Sequence, residues 1–106
     1  MRILSTAASC LAVLASALVP AQTTSPSRPV RLGLCAACHG ETGHATLPGA
    51  PNLAGQSLEY LRSALAQYRD GHRDAPVMRA AIGPLSEADL DALAHWYSAQ
   101  SPQAAP

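Results

Sequence analysis

The sequence predicts an all-α fold, a small domain of three main helices joined by long loops. Three observations carry this. Two segments repeat apolar residues at helical spacing: Leu58, Leu61, Leu65 and Tyr68, then Leu90, Leu93, Trp96 and Tyr97. No run alternates apolar and polar residues as a strand does. The connecting stretches are punctuated by glycine and proline, Gly40 to Gly55 most heavily. The chain has 106 residues and a formal net charge of zero, room for one such domain. No internal repeat is present.

Met1-Arg2, the apolar run Ile3 to Val19, and the small-residue site Val19-Pro20-Ala21 have the pattern of a secretory signal peptide. Residues 1–21 are therefore expected to be removed, with Cys10 among them. The rival reading is a retained membrane anchor, against which stand a barely sufficient length and the embedded Ser5, Thr6, Ser9 and Ser16. Residues 22–29, rich in Thr, Ser and Pro, read as a flexible leader, 30–100 as the folded domain and 101–106 as a disordered tail.

A first helix is expected from Pro29 to Cys38. The second begins at the N-cap Ser57, carries Glu59 in its first turn and stops at Gly71. Gly71 to Pro84 reads as loop, with one turn around Val77 to Ala81. The last helix has the strongest local signature: Ser86 and Asp89 form a capping-box variant, and Leu85 and Leu90 occupy the two positions of a hydrophobic staple. It should end near Ala99, before Pro102.

A domain this short buries a marginal core, and this one has no phenylalanine, one tryptophan and three tyrosines. The motif Cys35-Ala36-Ala37-Cys38-His39 supplies an answer. Two thiols on one helical turn, followed directly by a histidine, form the attachment pattern of covalent haem. Each thiol can form a thioether to one vinyl group, and the imidazole can then ligate the iron. The haem would add the missing apolar volume, so the haem-free chain should be largely unfolded. A zinc site would need a second Cys/His cluster, which is absent from the sequence. A dithiol redox motif would not need His39 and would sit between strand and helix.

The segments Cys35 to Gly40, Leu47 to Gln56, Tyr68 to Gly71, Pro76 to Met78 and Leu85 to Tyr97 resemble the class I c-type cytochromes. The resemblance is to the soluble bacterial monohaem cytochromes c, and to one half of the bacterial dihaem cytochromes c. It covers nearly all of the chain after residue 21. It implies a cytochrome c fold around one covalent haem c, with Cys35 and Cys38 as thioether anchors and His39 as proximal iron ligand. It further implies that the carbonyl of Pro51, in Pro51-Asn52-Leu53, accepts a hydrogen bond from His39, and that Met78 is the sixth ligand. His72 is the competing candidate. His44 is too near the attachment segment to reach the far haem face, and His95 falls on the solvent side of the last helix. Trp96 matches the aromatic that packs the last helix on the first. The chain departs from the family in having no aromatic before the cysteines, with Gly33 close to Cys35. Gln56, Tyr60, Arg69 and Arg79 could bond the haem propionates, but each taken singly reads better as a solvated side chain.

The function implied is that of a periplasmic one-electron carrier, not an enzyme. A haem-bearing subunit of a periplasmic dehydrogenase or oxidase is the alternative, and a haem peroxidase a weaker one, since it needs an open sixth position. Redox proteins are the expected partners, one of them in a membrane-associated respiratory complex, with the chain itself a monomer. With no lysine and no basic run, nucleic acid is excluded, and docking through the rim around Cys35 and the Met78 loop should be weak and largely apolar.

Overall fold

The computed structural model describes residue 3, residues 7–22 and residues 24–103. The remainder of the expected signal segment and of the tail lies outside the described residues. Four helices and no strand occur among them: α1 Leu32–His39, α2 Leu58–Asp70, α3 Pro76–Ile82 and α4 Glu87–Ser98. Residues 7–22 are exposed and form neither helix nor strand, and no helix among the described residues is long and apolar enough to cross a membrane.

Local chemistry sets the helix ends. The Ser57 hydroxyl accepts from the Tyr60 amide at 3.1 Å, which satisfies one orphan donor at the start of α2. Gly71 closes the same helix in the left-handed conformation, φ 86°. At α4 the capping box is complete. Ser86 Oγ accepts from the Asp89 amide and Asp89 Oδ2 from the Ser86 amide, both at 3.0 Å. Leu85 and Leu90, the staple pair, are both buried.

Two expectations are corrected. The first helix begins at Leu32, because Pro29 instead starts a turn in which its carbonyl accepts the Leu32 amide. The stretch expected to hold a single turn in a loop is a seven-residue helix, α3, opened by Pro76 at its first position. Proline there has the right φ and lacks only a donor that would be unsatisfied anyway.

The core gathers Leu32, Leu61, Ile82, Leu85, Leu90, Leu93, Ala94 and Tyr97. α2 packs against both α4 and α3. Arg69 lashes these elements together, donating to the carbonyls of Ile82 and Leu85 and to Glu87 Oε1. Among the described residues only Leu32 and Ile82, of the large side chains, are wholly enclosed. The packed side chains surround a cavity rather than filling it.

Candidate functional site

α1 is short, and its last turn brings Cys35, Cys38 and His39 to the wall of a cavity of about 610 Å³. That volume lies within the range of about 300–1,000 Å³ usual for cofactor sites. Leu53, Leu65, Ile82, Leu90 and Leu93 make much of the lining apolar, and α3 contributes Val77, Met78 and Ala81 to the same cavity. Pro51 lines it as well, so all five residues singled out by motif meet at one cavity.

His39 is 6 % exposed, and its Nδ1 lies 2.9 Å from the carbonyl oxygen of Pro51. A carbonyl can only accept, so Nδ1 carries the proton and Nε2 keeps its lone pair. Such an acceptor fixes the ring and raises its basicity toward a metal.

The Gly40 to Gly55 loop is folded to present Pro51 there. The Gly43 carbonyl accepts from the amides of Leu53 at 2.8 Å and Ala54 at 3.1 Å, and Asn52 Oδ1 accepts from the Ala45 amide at 2.8 Å. Thr46 and Leu47 donate back to the Cys38 carbonyl. Gly40 (φ 76°) and Gly43 (φ 85°) are required: a Cβ would strike the His44 carbonyl at the first and the Ala54 amide at the second.

α4 clasps this loop at two points. The Tyr97 hydroxyl donates to the Gly40 carbonyl at 2.9 Å, and the Gly55 amide donates to the Tyr97 carbonyl at 3.1 Å. Trp96 is half-buried against the core and its Nε1 donates to the Glu41 carbonyl at 2.7 Å, tying α4 to the chain just beyond α1.

Cys35 and Cys38 are both free thiols. Burial, and then the neighbouring Cys38, push the Cys35 thiol above its ordinary value, so it remains protonated at neutral pH. Of the polar candidates for the propionates, Gln56 and Tyr60 line the cavity while Arg69 and Arg79 do not. Sequence reasoning missed Arg73, which does line it, because nothing local distinguishes that arginine from its neighbours. The three other histidines stand apart from the cavity. His44 Nε2 meets the Ser101 carbonyl, His72 Nδ1 meets Asp70 Oδ1 at 2.6 Å, and His95 meets Arg62.

The residues fit a haem. The thiols and an imidazole with a free Nε2 lie close together on α1, a thioether lines the same cavity, and the lining is largely apolar. Nitrogen and sulfur donors of this kind suit haem iron. Among the described residues no His, Cys, Asp and Glu cluster could hold a bare metal ion.

Residues 32–96 match the family described as cytochrome c oxidase, cbb3-type, subunit III. The chain is a member of this c-type cytochrome family. Cytochrome c-554(548) of Halomonas halodenitrificans is 42 % identical over 73 residues, which cover 66 % of this chain and 88 % of that protein. The thiosulfate dehydrogenase electron acceptor of Thiomonas intermedia is 39 % identical over 79 residues, covering 74 % of this chain and 36 % of the relative. Cytochrome c4 of Pseudomonas aeruginosa is 34 % identical over 70 residues, covering 66 % and 35 %. The chain thus spans most of the first relative and about a third of the other two. Membership of the cytochrome c family implies a covalent haem c with its iron, and makes this an electron-transfer protein, not an enzyme.

Proposed function

We propose that this cytochrome is a periplasmic one-electron carrier in which Cys35 and Cys38 anchor the haem and His39 and Met78 ligate its iron. The observation that carries the reading is the His39–Pro51 hydrogen bond at the wall of a cavity shared with both thiols and the Met78 side chain. The bound haem supplies an iron that gains and loses one electron. His39 is oriented for the iron by Pro51, and that loop is itself held by Gly43 and Tyr97. Met78 adds a soft donor that favours the ferrous state and raises the potential. His72, its rival, is bonded to Asp70 and does not line the cavity. With His39 and Met78 both held for the iron, no position would be left open for peroxide.

The exposed apolar side chains Leu34, Leu47 and Val77 all border the cavity, which supports partner docking through that rim. The signal-like residues 1–21 support export to the periplasm, where the protein would act as a free monomeric carrier. A second reading is favoured by one comparison: two relatives are named thiosulfate dehydrogenase electron acceptors, so this chain would take electrons from a periplasmic dehydrogenase.

The test is one pair of optical spectra, oxidised and reduced, of the full chain matured with a haem-attachment system. Pigment that resists acid–acetone extraction and a weak far-red ferric band are expected. A bis-histidine spectrum would reject Met78. Copurification with a dehydrogenase separates the second reading from the first.

A further inference from the structure

We propose that Gln100 to Pro102, just after α4, form a strap over the neck of the Gly40 to Gly55 loop, and that His44 is the positioning residue through which the strap holds Pro51, and thereby His39, in place for the iron. The proposal rests on the haem reading above. The neck is where the two limbs of the loop meet. The Gly43 carbonyl accepts there from the amides of Leu53 and Ala54, and Asn52 Oδ1 accepts from the Ala45 amide. Pro51, whose carbonyl meets His39 Nδ1, directly precedes Asn52.

The strap touches both limbs. On the first, His44 Nε2 lies 3.1 Å from the Ser101 carbonyl, across 57 positions of chain. A carbonyl only accepts, so Nε2 carries a proton and donates. On the second, a Cβ at Gly55 would come within 3.0 Å of Pro102 Cδ and 3.2 Å of the Gln100 carbonyl. Glycine meets two demands at that position, the close approach and a φ of 70°. α4 fixes the root of the strap. The Tyr97 carbonyl accepts from the amides of both Gly55 and Gln100, at 3.1 and 3.2 Å, and Gln100 Nε2 donates to the Trp96 carbonyl at 3.0 Å. Among the described residues, His44 is the one loop side chain hydrogen-bonded to the strap. That bond is exposed to water and adds little to stability. Its effect is on geometry. The Pro51 carbonyl raises the basicity of the His39 ring, and a more basic ring favours ferric iron. A looser neck weakens that bond and shifts the iron toward the ferrous state.

The test uses the full chain matured with haem, and the variants His44→Ala, His44→Gln and His72→Ala. Glutamine places an amide donor where Nε2 stands. His72 is exposed between α2 and α3, away from the loop, and controls for the loss of an imidazole. The readouts are the midpoint potential and the solvent exchange of the His39 Nδ1 proton in the reduced protein, both of which report on the ligand. His44→Ala should keep covalent haem and the far-red ferric band. Its potential should rise, equivalent to about a twofold change in the ferrous-to-ferric ratio or ~18 mV. The Nδ1 proton should exchange several-fold faster, because the neck opens more often. His44→Gln should restore both values, and His72→Ala should leave both at wild type.

A His44→Ala protein with wild-type potential and exchange would overturn the assignment, and so would a shift that His44→Gln leaves in place. The reduced wild type decides the matter even if His44→Ala fails to mature: a nuclear Overhauser contact between the His44 ring and Ser101 is expected, and its absence sinks the strap. Wild-type chain that never acquires covalent haem would instead overturn the reading on which the proposal stands.

Discussion

The hydroxyl of Tyr97 donates to the carbonyl of Gly40, the residue that follows His39. The last helix therefore holds the C-terminal end of the first. Tyr97 is 3 % exposed and Gly40 is buried, so the bond is made away from water. Burial raises the phenol far above its ordinary value, which keeps it a donor at every physiological pH.

Replacing Tyr97 by phenylalanine keeps the ring and deletes the donor. The Gly40 carbonyl then keeps only the longer bond from the Gly43 amide, at 3.4 Å, a loss of about 0.5–1.5 kcal/mol. Urea unfolding of the haem-loaded protein should show a lower midpoint with an unchanged slope. Stability equal to wild type would mean that the hydroxyl is idle.

Gly43→Ala should be worse. The backbone there has φ 85°, and the added methyl meets the backbone of Ala54, whose amide Gly43 itself accepts. Strain in this region is of order 1–3 kcal/mol before any clash is counted. Lower yield of holoprotein, and a weakened His39–Pro51 bond visible in the proton resonances of the imidazole, are the expected results.

Met78→Ala should abolish the far-red ferric band and lower the potential, by tenfold or more in the ferric-to-ferrous ratio at a fixed applied potential, since a thioether favours the ferrous ion. It should also let the reduced protein bind carbon monoxide, measured by the shift of its main absorption band. A variant that keeps the band would move the ligand assignment elsewhere.

The Asp89 carboxyl is held below its ordinary 3.8, first by the Ser86 amide it accepts from and then by the Ser86 hydroxyl. Asp91 is lowered chiefly by its hydrogen bond with Arg62, and Asp70 by the His72 amide and ring. In acid the unfolded chain binds more protons at these sites than the native one, so stability falls with pH. The contribution is complete above the ordinary value and disappears as pH drops through the lower native one. Wild type should exceed Asp89→Asn at neutral pH, and the difference should vanish in strong acid. Ser86→Ala should cost about 1 kcal/mol. Denaturant midpoints measured against pH check all of this.

Association with a redox partner should depend little on salt. Leu34 and Leu47 at the cavity rim are about half exposed and Val77 is 78 % exposed, and the chain has no lysine. Screening acts on charges, not on apolar contact. A steep fall in electron-transfer rate with added salt would contradict docking at this rim.

What could be read from the sequence was local. The capping box at Ser86, the serine cap at Ser57 and the left-handed Gly71 each depend on residues a few positions apart, and the structure places all three as expected. The motif around Cys35 and the Pro51-Asn52-Leu53 stretch also pointed to one cavity. α3 was under-read because seven residues between breakers leave too short a period to recognise, although Pro76 was a usable start signal. The Tyr97 hydroxyl was missed for a different reason. Its importance lies in a contact between distant segments, for Tyr97 meets Gly40 across 57 positions of chain. No window along the sequence contains both.

That long reach also orders events in time. The haem-free chain is expected to be largely unfolded, so Tyr97 and Gly40 should meet only once the porphyrin has joined the core. Until then the two sulfurs should stay within reach of whatever machinery must modify them.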